Sequence, residues 1–120
     1  MVLVDTSVWV GHLRSGDPQM ASLLGEGVVV CHPFVLGELA CGHLPNRTDT
    51  LRSLSELPQI GVATYEEVMS LIAARHLMGT GLGFIDVHLL ASARIYDLPI
   101  LTRDLPLKRA ATALGVFYSA

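Results

Sequence analysis

The sequence predicts an α/β fold: three layers, α/β/α, around a parallel sheet of four to five strands. Three observations predict it. Short apolar, β-branched runs alternate with helical periods along all 120 residues. Each run is apolar at successive positions, as in strands buried on both faces between helix layers. The stretches between runs are long enough for the crossovers that parallel strands need. The length fits one domain, residues 1–120. With 51% hydrophobic and 16% charged residues, disorder is excluded.

The elements follow in order. Val2-Leu3-Val4, closed by Asp5, reads as a strand, and Thr6 or Ser7 can cap a helix to about Arg14. Asp17-Pro18 starts the next helix, with Asp17 as N-cap and proline at the first helical position; Gly25 and Gly27 bracket its end. Val28 to Cys31 is a second buried strand. Pro33 opens a helix to about Cys41, and another begins at Asn46 or Thr48 and stops before Pro58. Gln59 to Ala63 is a weaker third strand. Thr64 and Glu67 form a capping box ahead of Tyr65, Val68, Met69, Ile72 and Ala73, which fill every apolar position of the helical template. The Gly79–Gly83 stretch reads as a flexible hairpin before a helix over 84–96. It follows a helix instead of a strand and lacks a phosphate-loop lysine, so it is no dinucleotide fingerprint. Pro99 to Thr102 is a fourth strand, Asp104 starts a last helix, and Val116 to Tyr118 is a fifth strand.

Four acids stand out. Asp5 follows the first strand directly, and Asp104 comes two residues after the fourth. Both therefore fall at the carboxyl edge of a parallel sheet, where open α/β folds bind ligands. If strand order reverses between those strands, the two acids face each other. Glu38 and Asp86 each share a helical face with apolar residues, so both are expected on buried stripes. A buried carboxylate needs a cation, a proton or dedicated donors. The chain has one lysine and seven arginines, so a divalent metal is the economical answer. Hard oxygen ligands of this type suit Mg²⁺ or Mn²⁺, and no Cys/His set points to zinc. Other readings stand beside this one. Asp104 and Asp5 can be N-caps, Asp86 can favour a helix dipole, and Glu38 can pair with Arg75 or Arg94.

These residues resemble the PIN-domain nucleases and, within them, the VapC-type toxins of bacterial toxin–antitoxin pairs. The resemblance covers essentially the whole chain. It is carried by Val2-Leu3-Val4-Asp5-Thr6-Ser7-Val8-Trp9, Gly37-Glu38-Leu39, Asp86 to Ala93, and Leu98-Pro99-Ile100-Leu101-Thr102-Arg103-Asp104. It implies a PIN-like fold with Asp5, Glu38, Asp86 and Asp104 as metal-binding catalytic acids. Thr6, Ser7 and Thr102 would support them through hydroxyl hydrogen bonds. Asp5 and Asp86 are expected as direct ligands, Glu38 and Asp104 as holders of a second ion or of its waters. The implied activity is Mg²⁺-dependent endoribonucleolytic cleavage with metal-activated water. The implied partners are RNA, a cognate antitoxin and a second copy of the chain. Where many relatives carry Ser or Thr three residues before the third acid, this chain has Gly83.

Net charge is −3, which ordinarily argues against a nucleic-acid partner; two dications at the cluster would reverse its sign. Arg103 and Arg14 are candidates for phosphate contacts, and Trp9 for packing its helix rather than stacking on a base. Cys31 and Cys41 read as small buried or half-buried hydrophobes, and the five histidines as core or surface residues without shared ligand spacing. With no signal segment and no membrane-length apolar run, the expected location is the cytoplasm. Three rivals are weaker. A flavodoxin-like phosphoacceptor regulator wants adjacent acids after the first strand and a lysine after a late one. A haloacid-dehalogenase-type phosphatase wants an acid where Ser7 stands. A catalytically silent RNA-binding domain would have lost one of the four acids, and none is missing.

Overall fold

In the computed structural model, which describes residues 1–119, the first apolar run is the central strand of the sheet. Strand β1 (Val2–Val4) pairs in parallel with β2 (Val29–Val30) on one side and β3 (Ile100–Leu101) on the other. Leu3 stands opposite both Val30 and Ile100, and its side chain is fully buried. The five predicted strands become three. Gln59 pairs with Cys31, and Phe117 with Ile100, as single parallel bridges. The backbone there still joins the sheet: Cys31 N–H donates to Pro58 O and Tyr118 N–H to Ile100 O. In sequence order of the segments the layout is thus 3-2-1-4-5. A flavodoxin-like regulator has the order 2-1-3-4-5 instead. The lysine such a regulator needs is also misplaced, because Lys108 lies 5.2 Å above the Phe117 ring.

Among the described residues seven helices connect the strands: α1 (Thr6–Ser15), α2 (Pro18–Gly25), α3 (Pro33–Cys41), α4 (Arg47–Ser55), α5 (Tyr65–Arg75), α6 (Phe84–Tyr96) and α7 (Leu105–Ala113). The chain leaves β1 toward β2 and later crosses back to β3. Right-handed crossovers in opposite directions put helices on both faces, giving the three layers. Local chemistry sets the helix starts. Asp17 accepts from Met20 N–H at 3.0 Å ahead of Pro18, and Thr64 and Glu67 close a reciprocal capping box. At α1 the cap is Asp5, not Thr6 or Ser7. Asn46 precedes α4 in a left-handed conformation (φ 47°) without a side-chain cap.

One apolar core holds β1 with Val8, Met20, Val35, Leu89, Leu90, Ile100 and Leu107. A smaller cluster of Ala63, Val68, Val87 and Ala91 joins α5 to α6. The α5 stripe is only partly covered: Val68 is buried, but Tyr65 is 62% and Met69 43% exposed. Cys31 is buried as expected, whereas Cys41 is exposed. No helix among the described residues is long and apolar enough to cross a membrane.

Candidate metal centre

The strand order puts the reversal between β1 and β3, and the residues just past those strands meet there. Asp5 ends β1 and is buried. Its Oδ2 accepts from Ser7 Oγ at 2.7 Å and from Thr102 Oγ1 at 2.8 Å. The hydroxyl oxygens in turn accept backbone N–H groups, Ser7 Oγ from Arg103 at 3.1 Å and Thr102 Oγ1 from Asp104 at 3.0 Å. With their acceptor sides occupied by N–H groups, both hydroxyls direct their protons at Asp5. Asp104 caps α7, its Oδ2 accepting from Leu107 N–H at 3.1 Å. The capping readings of Asp5 and Asp104 therefore hold together with their place at the sheet edge.

The other two acids come from helices. Asp86, in the first turn of α6, accepts from Gly83 N–H at 3.0 Å through Oδ2. Glycine at this cap is sterically unforced: a Cβ would lie 3.6 Å from Asp86 Oδ2, an ordinary contact, so Ser or Thr would fit. Glu38 accepts from Thr6 Oγ1 at 2.7 Å, linking α3 to α1. Two expectations are corrected here. Glu38 is exposed and Asp86 half-buried, so neither lies sealed on an apolar stripe. Each carboxylate keeps access to solvent instead. Nor does Glu38 pair with Arg75 or Arg94, which flank a groove between α5 and α6.

Electrostatics ties the four together. Burial pushes the Asp86 carboxyl above its ordinary value; the Gly83 N–H opposes this, and the charges of Asp5, Asp104 and Glu38 raise it further. Acids from four different elements thus lie close enough for three of them to act on the fourth. Among the described residues no three His, Cys, Asp or Glu side chains converge into a finished metal cage. The donor set nonetheless fits a hard dication. Each carboxylate commits one oxygen to a protein donor, and among the described residues none has a protein partner for the other. Asp5 Oδ1, Glu38 Oε2, Asp86 Oδ1 and Asp104 Oδ1 are the oxygens available to an ion.

The remaining sequence candidates separate. The Arg103 guanidinium forms an ion pair with Asp17 and hydrogen-bonds Gln19 Oε1 at 3.2 Å. That pairing holds the Asp17 carboxyl below its ordinary value. Arg14 is exposed and lines a cavity of about 480 Å³ with Glu38. Trp9 is buried, so it packs its helix and presents no face to a base.

Two of the histidines read as core or surface residues are in the core. His32 is the N-cap of α3, its Nδ1 accepting from Phe34 N–H at 2.9 Å. Burial, aided by His88, lowers its pKa to about 4. His88 is also buried, which lowers its pKa too. The available signal was His32 directly before Pro33, the place of an N-cap.

Comparisons with known proteins agree with this geometry. Residues 2–113 match the family model described as PIN domain. Ribonuclease VapC32 of Mycobacterium tuberculosis is 44% identical over 117 residues, covering 97% of this chain and 94% of the relative. Solved structures share the fold at lower identity. The M. tuberculosis toxin VapC20, described as cleaving the sarcin–ricin loop, aligns with a TM-score of 0.66 at 21% identity, covering 92% of this chain and 95% of that one. A toxin–antitoxin complex from Klebsiella pneumoniae aligns at 0.65 and 21% identity, covering 87% of each chain. FitAcB from Neisseria gonorrhoeae aligns at 0.66 and 18% identity, covering 93% of this chain and 94% of that one. Acids at a parallel-sheet reversal, a match over nearly the full length and close kinship to a named ribonuclease lead to one assignment: the chain belongs to the PIN-domain family.

Proposed function

We propose that this chain is a divalent-metal-dependent endoribonuclease and the toxin of a toxin–antitoxin pair. The observation that carries the reading is that Asp5 and Asp104 follow two adjacent parallel strands at the reversal of strand order, with Asp5, Asp104 and Glu38 near enough to Asp86 for their charges to raise its carboxyl. The ribonuclease named among its relatives supports RNA as substrate. Mg²⁺ or Mn²⁺ would supply Lewis-acid stabilisation of the phosphoryl group and an activated water. The chain's own residues do the rest. Ser7 and Thr102 hold Asp5 through one oxygen and, among the described residues, leave the other without a protein partner. Gly83 N–H and Leu107 N–H orient Asp86 and Asp104 in the same way, and Thr6 orients Glu38. Arg14, beside Glu38, is the arginine free to meet an RNA phosphate; Arg103 instead braces the loop after β3 against Asp17.

The toxin reading brings two partners, an antitoxin and a second copy. Both are supported by the exposed apolar side chains Val62, Tyr65, Met69, Phe84, Ile95 and Tyr96, which a lone chain leaves in water. The cytoplasm, where substrate RNA resides, is the proposed location.

The test is cleavage of total cellular RNA by the purified chain. Cutting should stop with a chelator, return with Mg²⁺ or Mn²⁺, and be blocked by the co-expressed product of a neighbouring short gene. Chelator-resistant cutting would overturn the metal reading.

A further inference from the structure

Aromatic rings link the two helices that carry Glu38 and Asp86. The His32 and Phe34 ring centroids lie 5.1 Å apart at 62°, Phe34 and His88 4.8 Å at 73°, and His88 and Phe84 4.9 Å at 88°. All three are edge-to-face contacts of favourable geometry. His32 caps α3, so its ring sets where that helix begins. Phe34 and Glu38 are four residues apart on one face of α3. Phe84 opens α6, with Asp86 in the same first turn and His88 four residues on.

The arrangement is not what stability alone would select. His32 Nε2 and His88 Nδ1 are buried without a hydrogen-bond partner among the described residues. An unpaired buried nitrogen destabilises the fold. Phenylalanine at position 88 would fill the slot between Phe34 and Phe84 without that defect. It differs in being a six-membered ring, which would hold its neighbours further apart.

We propose that His32, Phe34 and His88 are positioning residues that fix the separation of Glu38 and Asp86, with the imidazole of His88 as the narrow spacer between α3 and α6. The inference rests on the four-acid metal reading. Small hard dications tolerate little error in ligand spacing, so a wider spacer weakens ion binding even in a well-folded protein.

The experiment titrates the purified, metal-free protein with Mn²⁺ alone and melts the same samples. His88→Phe should melt at or above the wild-type temperature yet bind Mn²⁺ about tenfold more weakly, the size of effect seen when a ligand loses its outer support. Phe34→Leu, which removes both histidine contacts, should also weaken Mn²⁺ binding, and it decides the matter if His88→Phe does not fold. A purely structural role would instead move melting and Mn²⁺ affinity together. Wild-type affinity in a folded His88→Phe or Phe34→Leu protein overturns the proposal. Asp5→Asn is the control. If it binds Mn²⁺ like wild type, the four-acid reading fails and this inference with it. If it loses binding while the ring variants do not, only the positioning role fails.

Discussion

The two halves of the acidic cleft are built differently. On the sheet side, Asp5 is buried and takes two hydroxyl hydrogen bonds within 2.8 Å, and those hydroxyls are themselves oriented by the N–H groups of Arg103 and Asp104. On the helix side, Glu38 and Asp86 each take a single hydrogen bond and keep more contact with water. The sheet half is held by a connected set of hydrogen bonds that joins Asp5, Ser7 and Thr102 to the backbone after β3. The helix half rests on the packing of α3 and α6. The contrast teaches that one acidic cluster can combine a carboxylate held by hydrogen bonds with carboxylates placed by helix packing, and each substitution below breaks or sharpens it.

The largest effect belongs to the sheet side. Asp5→Asn keeps the shape and one acceptor oxygen but removes the charge. Cleavage should fall by at least about 100-fold, the scale for losing a key electrostatic group, with the melting temperature nearly unchanged. Single-turnover cleavage and thermal melting check both.

Asp86→Asn should also remove most activity, but with the opposite sign on stability. Its carboxyl is raised in the folded state, so ionising it at neutral pH works against folding without metal. The metal-free variant should therefore melt a few degrees higher than wild type. An unchanged or lower melting point would show that neither burial nor its three acidic neighbours burden the charge.

Outer partners come next. Thr102→Val removes the 2.8 Å hydrogen bond to Asp5 at nearly constant volume, and should cost about tenfold in Mn²⁺ affinity or cleavage rate. Thr6→Val removes the corresponding support from Glu38. On the wetter helix side the loss should be only about two- to threefold, near the lower end for one hydrogen bond. Equal losses in the two variants would erase the distinction between the halves.

The smallest effect is on stability against pH. His32 caps α3 only when Nδ1 is unprotonated, and its pKa falls from 6.5 to about 4 on folding. Between those values the unfolded chain binds more protons, so stability falls as the pH drops through the window. His88 shifts in the same direction. His32→Asn, which keeps a capping acceptor without titrating, should flatten the difference in urea midpoint between pH 7 and pH 5.

What the sequence made legible was local. An acid directly after an apolar run, proline after an N-cap residue, and a Thr64–Glu67 box are patterns of a few neighbouring residues, and the elements they predict are present. Five strands shrank to three because Gln59 and Phe117 extend the sheet by only one bridge each. Helical periodicity marked Glu38 and the Tyr65–Met69 face as apolar stripes, but a period cannot say whether the chain itself covers that face. The pairings of Arg103 with Asp17 and of Thr102 with Asp5 join residues 86 and 97 positions apart, set by topology alone. His32 escaped notice because its capping group is an imidazole nitrogen instead of the usual side-chain oxygen.

The place of β3 beside β1 has a consequence during synthesis. A ribosome releases Asp5, Glu38 and then Asp86 before Thr102 and Asp104, and until Ile100 and Leu101 emerge β1 has no neighbour on that side. The growing polypeptide therefore carries three of its four acids without the Thr102 hydroxyl or the fourth charge. Built in this order, the acidic cluster is complete only once β3 has docked beside β1.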